Sequence, residues 1–155
     1  FTPSTSHKRK GFLPLLTAFK QLPEDDYELL VAGDKLPVSN VPNNVRCLGF
    51  VSDMAELYAS VDITVLPSYY EPFGLVVPES LACGTPVIIS EHVGAKDLIN
   101  DNYGIVIPSV TVNAIKQAIE QARQQQFTIP EDFAQQHQLT LPAHIQQLKT
   151  VMSQL

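Results

Sequence analysis

Cysteine is scarce in this chain: Cys47 and Cys83 are the whole complement, far apart and outside any C-x-x-C. That excludes a disulfide framework and a clustered zinc site, and it reads as two reduced thiols in a cytosolic protein. No apolar run approaches the ~18 residues of a membrane-spanning helix, and no signal-peptide pattern opens the sequence. Metal-ligand clusters are missing too. Asp25-Asp26 is an acidic pair after Pro23, read as loop or cap. There is no internal repeat, and Gln124-Gln125-Gln126 is a solvated helix end rather than low complexity. The chain begins Phe1-Thr2-Pro3 without an initiator Met, as expected of a piece of something longer.

Excess positive charge is also lacking. A net charge of -6 and a pI near 5.0 argue against a nucleic-acid binder, which presents a basic face. A local basic pocket for one small phosphate ligand is still allowed. What is present is apolar material: 155 residues, 45% hydrophobic and 17% charged. That composition fits one globular domain with a real core and excludes disorder.

Short apolar runs alternate with helical periods. Gly11 to Gln21 reads as a helix with Phe12, Leu15, Leu16 and Phe19 on one face, stopped by Pro23. Strands are expected at Tyr27–Ala32, Val45–Leu48, Val61–Leu66, Val87–Ile89 and Gly104–Ile107, after a truncated first strand. Ser52 or Asp53 caps a helix through Ser60, with Met54, Leu57 and Tyr58 inward. A loop from Ser68 to Gly74 leads into a helix over Leu75–Cys83, with Gly84 and Pro86 ending it. A short helix at Ala95–Ile99, a long one at Thr111–Gln126 and two segments within Pro130–Leu155 complete the reading. Strands separated by helices imply a parallel sheet covered on both faces, a Rossmann-like, doubly wound α/β fold. Ligands in such folds sit outside the carboxyl ends of the strands.

The informative stretch is therefore Glu71-Pro72-Phe73-Gly74-Leu75-Val76-Val77-Pro78-Glu79, after the Val61–Leu66 strand. Gly74 permits close backbone approach. The N–H groups from Gly74 to Val76 open a helix and favour a phosphate. Glu79, about a turn further in, can accept from two vicinal ribose hydroxyls. Glu71 is a poor phosphate ligand, but can bond sugar hydroxyls or face positive charge developing on an anomeric carbon. The ordinary alternative is that the helix dipole alone favours acids near its start. The second feature is His7-Lys8-Arg9-Lys10-Gly11, positive charge where a ligand loop belongs. It can neutralise a departing diphosphate, or simply be a solvated basic loop.

These residues carry a resemblance. Glu71 through Glu79, followed by Ser80-Leu81-Ala82-Cys83-Gly84-Thr85-Pro86-Val87, resembles the E-x7-E signature of retaining glycosyltransferases, and more narrowly of glycosyltransferase family 4. Lys10-Gly11, Leu30-Val31-Ala32-Gly33, Leu48-Gly49-Phe50-Val51 and Val93-Gly94-Ala95-Lys96-Asp97-Leu98-Ile99 fit the same register. The similarity covers roughly residues 8 to 126. It implies one half of a GT-B fold: a single C-terminal nucleotide-sugar-binding domain over 1–155, with 126–155 a helical tail. The N-terminal acceptor domain would be absent from this chain.

By that resemblance the donor is a UDP-, GDP- or ADP-sugar, with no further cofactor and no metal. Lys10 and a nearby arginine hold the diphosphate. Many members carry that arginine where this chain has Ser4, and Arg9 takes its place. The Phe73-Gly74-Leu75 backbone binds phosphate, Glu79 the ribose, and Glu71 the sugar or reaction centre. Gly49, Phe50 and Val51 flank the base through backbone contacts. Lys10 and Glu71 are the expected catalytic pair. Gly94-Ala95 and Asp97 stand where the family often has Gly-Gly and Glu. The implied setting is cytoplasmic synthesis of cell-surface polysaccharide or lipopolysaccharide, with any peripheral membrane contact made through the missing domain. Two alternatives are a nucleotide-sugar-binding module without transferase activity and an epimerase of GT-B shape. A response-regulator-like domain would need an acidic phosphorylation pocket, and no such cluster is evident.

Overall fold

The computed structural model describes residues 1–4, 6–36, 38 and 40–153, apart from the side chains of residues 4, 141, 144, 147, 148 and 151. The chain runs β1 (Thr2–Ser4), α1 (Phe12–Phe19), β2 (Leu29–Gly33), β3 (Val45–Gly49), α2 (Met54–Ala59), β4 (Thr64–Leu66) and α3 (Val76–Ala82). It continues through β5 (Val87–Ser90), a 3₁₀ turn (Gly94–Leu98), β6 (Gly104–Ile107), α4 (Val112–Gln124), α5 (Phe133–Gln136) and α6 (Leu141–Met152). The end of the expected tail, residues 154–155, lies outside the described residues.

All strand pairs are parallel, in two ladders ordered β1-β2-β3 and β4-β5-β6. Phe1 joins them. Its amine donates to the Ile63 carbonyl at 2.9 Å, and the Val65 N–H donates to the Phe1 carbonyl at 2.7 Å. This is one rung of a parallel pairing, so β1 lies beside β4 and the strands follow the order β3-β2-β1-β4-β5-β6. The order reverses direction between β1 and β4, and their carboxyl ends open a crevice there.

Alternation along the strands explains the two covered faces. Leu29, Val31, Val65 and Ile88 pack under Phe12, Leu15, Leu16 and Phe19 of α1 and Ile115, Ala118 and Ile119 of α4. The intervening Leu66, Val87 and Ile89 point the other way, against Val77 and Leu81 of α3 and Phe133 of α5. Ala32 joins Leu57 and Tyr58 of α2 on that second face. Asp53 is the residue that caps α2, accepting from the Glu56 N–H at 2.9 Å. Thr111 caps α4 in the same way, accepting from Ala114. Asp26, the expected turn acid, pairs with Arg123 of α4 at 2.8 Å.

Two elements differ from the sequence expectation. The strand expected over Val61–Leu66 joins its ladder only at Thr64, whose N–H donates to the Pro86 carbonyl. The rung before it needs an N–H from Pro86, which proline lacks. The helix expected at Ala95–Ile99 is a 3₁₀ turn over Gly94–Leu98, with the Ala95 N–H on the Phe73 carbonyl at 2.7 Å.

The tail is part of the core through Phe133, which is fully buried. Phe133→Ala should lower unfolding free energy by about 3–5 kcal/mol, as for other large aromatic truncations. Urea denaturation followed by circular dichroism measures this.

Candidate functional site

The loop after β1 is built from a series of tight turns. The Lys10 N–H bonds the Ser6 carbonyl at 2.9 Å and the Phe12 N–H bonds the His7 carbonyl at 3.0 Å. The His7 ring donates to the Lys35 carbonyl, which anchors the loop to the segment after β2. Gly11 then enters α1 in the left-handed region, with φ 67°. A Cβ there would run into the Pro67 carbonyl oxygen at the end of β4. Only glycine lets the two loops approach this closely. They are also tied directly, by the Tyr69 N–H on the Arg9 carbonyl at 2.8 Å.

The loop after β4 is held from its far side. The Glu71 N–H donates to the His92 carbonyl at 3.1 Å, and the Gly94 N–H to the Glu71 carbonyl at 2.9 Å. Gly94 packs its bare Cα against the Pro72 carbonyl, and Ala95 is buried. A small pair therefore satisfies this position, and Gly94-Ala95 does so without a second glycine. Ser90 Oγ donates to the Ser68 carbonyl beneath the loop.

This scaffold brings Arg9, Lys10 and Glu71 together. Arg9 donates to the Glu71 carboxylate at 3.1 Å and to the Tyr70 carbonyl at 3.0 Å. The Arg9 side chain is 41% exposed and that of Glu71 only 16%. Lys10 lies close enough to feel both charges. Burial pushes its ammonium below the ordinary lysine value; Glu71 raises it back and Arg9 lowers it. Lys10 is thus a partly desolvated cation beside a second cation, an arrangement that an anion relieves. Beyond Glu71 in the same loop, the N–H groups of Gly74, Leu75 and Val76 have no hydrogen-bond acceptor among the described residues. Gly74 has φ 89°, and a Cβ there would press on Val93 and Glu71.

Glu79 lies in the first turn of α3, exposed, and accepts a hydrogen bond from the Tyr58 hydroxyl at 2.9 Å. Gly49 ends β3, and Phe50 and Val51 follow it. Gly49 takes φ 68°, which turns the chain so that the Phe50 ring is 91% exposed. Val51 folds back onto the cluster of Leu57 and Tyr58. The cluster on which Val51 packs thus includes Tyr58, whose hydroxyl reaches Glu79. Sequence reading missed Tyr58 in this role, since its spacing marks it as a core residue of α2 and it is indeed buried.

The exposed cavity beside Arg9 is lined by Ser6, His7, Lys8, Arg9, Leu13, Pro14 and Tyr69. A second cavity, lined by Phe1, Tyr27, Glu28, Ile63, Arg123 and Phe127 among others, opens at the amino ends of the strands. None of the predicted site residues lines it. The carboxyl edge holds the cations, the unbonded donors and both glutamates, and we place the candidate site there.

The chain is 37% identical over 119 residues to a probable transglycosylase of Burkholderia thailandensis, covering 77% of this chain and 32% of the relative. It is 33% identical over 135 residues to the Escherichia coli O-antigen chain mannosyltransferase B, covering 77% of this chain and 35% of the relative. The chain thus spans about a third of the length of these relatives. Among solved structures, Anabaena HepE in complex with UDP superposes with a TM-score of 0.76 at 25% identity, over 100% of this chain and 49% of HepE. WaaG, a glycosyltransferase of lipopolysaccharide biosynthesis, superposes with a TM-score of 0.71 at 27% identity, over 80% and 37% of the two chains. The family model for glycosyl transferases group 1 matches residues 3–139, and the chain belongs to that family.

Proposed function

We propose that this chain is the donor-binding domain of a retaining, family 4 glycosyltransferase, binding a UDP-, GDP- or ADP-sugar while an N-terminal domain supplies the acceptor site. The observation that carries this reading is the convergence of Arg9, Lys10 and Glu71 at the loop that leads into the unbonded N–H groups of Gly74 to Val76, where the strand order reverses. The solved complexes of HepE with UDP and with UDP-glucose support a nucleotide sugar as the ligand. Relatives in O-antigen and lipopolysaccharide core synthesis support a cell-envelope product. No helix among the described residues is long and apolar enough to cross a membrane. We place the reaction in the cytoplasm, with any membrane contact made peripherally by the other domain.

In this reading the diphosphate lies between Lys10 and the Gly74–Val76 donors. Arg9 has five N–H donors, so it can hold Glu71 and a phosphate oxygen at once. The bond between the anomeric carbon and the β-phosphate oxygen breaks, and its electrons leave with the diphosphate. Lys10, Arg9 and the backbone donors stabilise that charge. Glu71 faces the sugar, where its carboxylate bonds hydroxyls and opposes the positive charge on the anomeric carbon. The acceptor oxygen then attacks from the face the diphosphate left and passes its proton to the departing phosphate oxygen, which retains configuration. Glu79 holds the ribose, and the Gly49–Val51 backbone flanks the base.

Calorimetry with UDP, GDP and ADP tests the binding half. Lys10→Ala and Glu79→Ala should each weaken the preferred diphosphate by about 10–100-fold, the worth of a charge-assisted hydrogen bond. The protonated Lys10 is the binding form. Its lowered pKa means affinity should begin to fall at a lower alkaline pH than an ordinary lysine gives, and Lys10→Ala should flatten that limb.

Glu71→Gln should separate the two halves of the reaction. Freeing Arg9 from its carboxylate partner should leave diphosphate affinity equal or tighter. Transfer by the two-domain enzyme should drop by about 10²-fold or more, in line with loss of an electrostatic stabiliser. Equal losses in binding and transfer would remove Glu71 from the reaction centre. The 155-residue chain should bind donor but show negligible transfer in a radiolabelled-sugar assay, and appreciable turnover would contradict the two-domain reading.

A further inference from the structure

We propose that Tyr58 is a positioning residue for Glu79, fixing the carboxylate that selects the ribose of the donor; the inference rests on the ribose role given to Glu79 above. The Tyr58 hydroxyl donates to Glu79 Oε2 at 2.9 Å. Tyr58 itself has little freedom to move. Its ring is buried, with Phe1 edge-on at 5.6 Å. Its carbonyl accepts from Thr85 Oγ1 at 2.6 Å. Ser80 Oγ, next to Glu79 on α3, bonds the Thr85 carbonyl at 2.9 Å. The donor and the helix bearing the acceptor are thereby tied to the same loop.

An exposed glutamate on a helix otherwise samples several rotamers, and each bond it makes to a ligand costs side-chain entropy. With Oε2 held, Oε1 and the remaining lone pair of Oε2 have a fixed aim for two vicinal hydroxyls. The phenol can serve as donor across the working pH range. Burial first, then the hydrogen bond and charge of Glu79, hold its proton far above the ordinary tyrosine value. The motif-level signature contains only the two glutamates, so this third member becomes visible only in three dimensions.

Tyr58→Phe removes the hydroxyl and keeps the ring. Binding of UDP, GDP and ADP and of their 2′-deoxy counterparts would be measured by calorimetry on the wild-type chain, Tyr58→Phe and Glu79→Ala, with thermal unfolding of each. The wild type should prefer the ribonucleotide by about tenfold, one hydrogen bond's worth. Glu79→Ala should bring that ratio to about one, and Tyr58→Phe should reduce it about threefold or more while the chain stays folded. A purely structural tyrosine would lower the melting temperature and leave the ratio intact, which overturns the inference. If Glu79→Ala also leaves the ratio intact, or if none of the diphosphates binds, the ribose reading falls and the inference with it. If Glu79→Ala collapses the ratio and Tyr58→Phe does not, only the inference falls.

Discussion

The rest of the structure depends on β1 and β4 lying side by side. One rung of parallel pairing through Phe1 makes that contact, and it converts two short ladders into a sheet whose order reverses in the middle. A crossover leaving β1 and one leaving β4 then pass to opposite faces, so their loops cannot fill the space between them. That space is the crevice. Arg9 and Glu71, 62 residues apart in sequence, meet across it. Gly11 makes the approach sterically possible, and the Tyr69–Arg9 backbone bond fixes its distance.

The electrostatics follow from the same placement. Two cations and one carboxylate are crowded at the mouth of the crevice in a chain whose net charge is -6. Glu71 satisfies Arg9 and steadies Lys10, yet leaves Lys10 partly desolvated and destabilised as a cation. The site is arranged for a ligand with more negative charge than one carboxylate supplies. A diphosphate has that charge and also has oxygens enough for the three backbone donors. On the proposed function, the groups that would hold the diphosphate would also stabilise the charge it gains as a leaving group.

Most of the fold was legible in the residues. The periodicity of Phe12, Leu15, Leu16 and Phe19 predicts the packed face of the first helix, and the apolar runs through Val65 and Ile88 predict buried strands. Asp53 and Thr111 mark helix starts that their side chains do cap. Lys10, Glu71, Gly74 and Glu79 stand out as candidates because each lies in a loop or first helical turn that follows a strand. The unread parts are those made by distant residues. Nothing local says that Pro86 will shorten β4, or that the Ala95 N–H will find its acceptor in the distant Phe73. Tyr58 has the spacing of a buried helix face, and burial is what it shows. Its polar tip acquires meaning only when α2 and α3 are packed together.

A structure of this chain with a bound nucleoside diphosphate tests the central claim most directly. The account predicts both phosphates between the Arg9–Lys10 side chains and the N–H groups of Gly74, Leu75 and Val76, with the ribose hydroxyls on Glu79. A diphosphate seated instead in the cavity at the amino ends of the strands, near Tyr27 and Arg123, would contradict it.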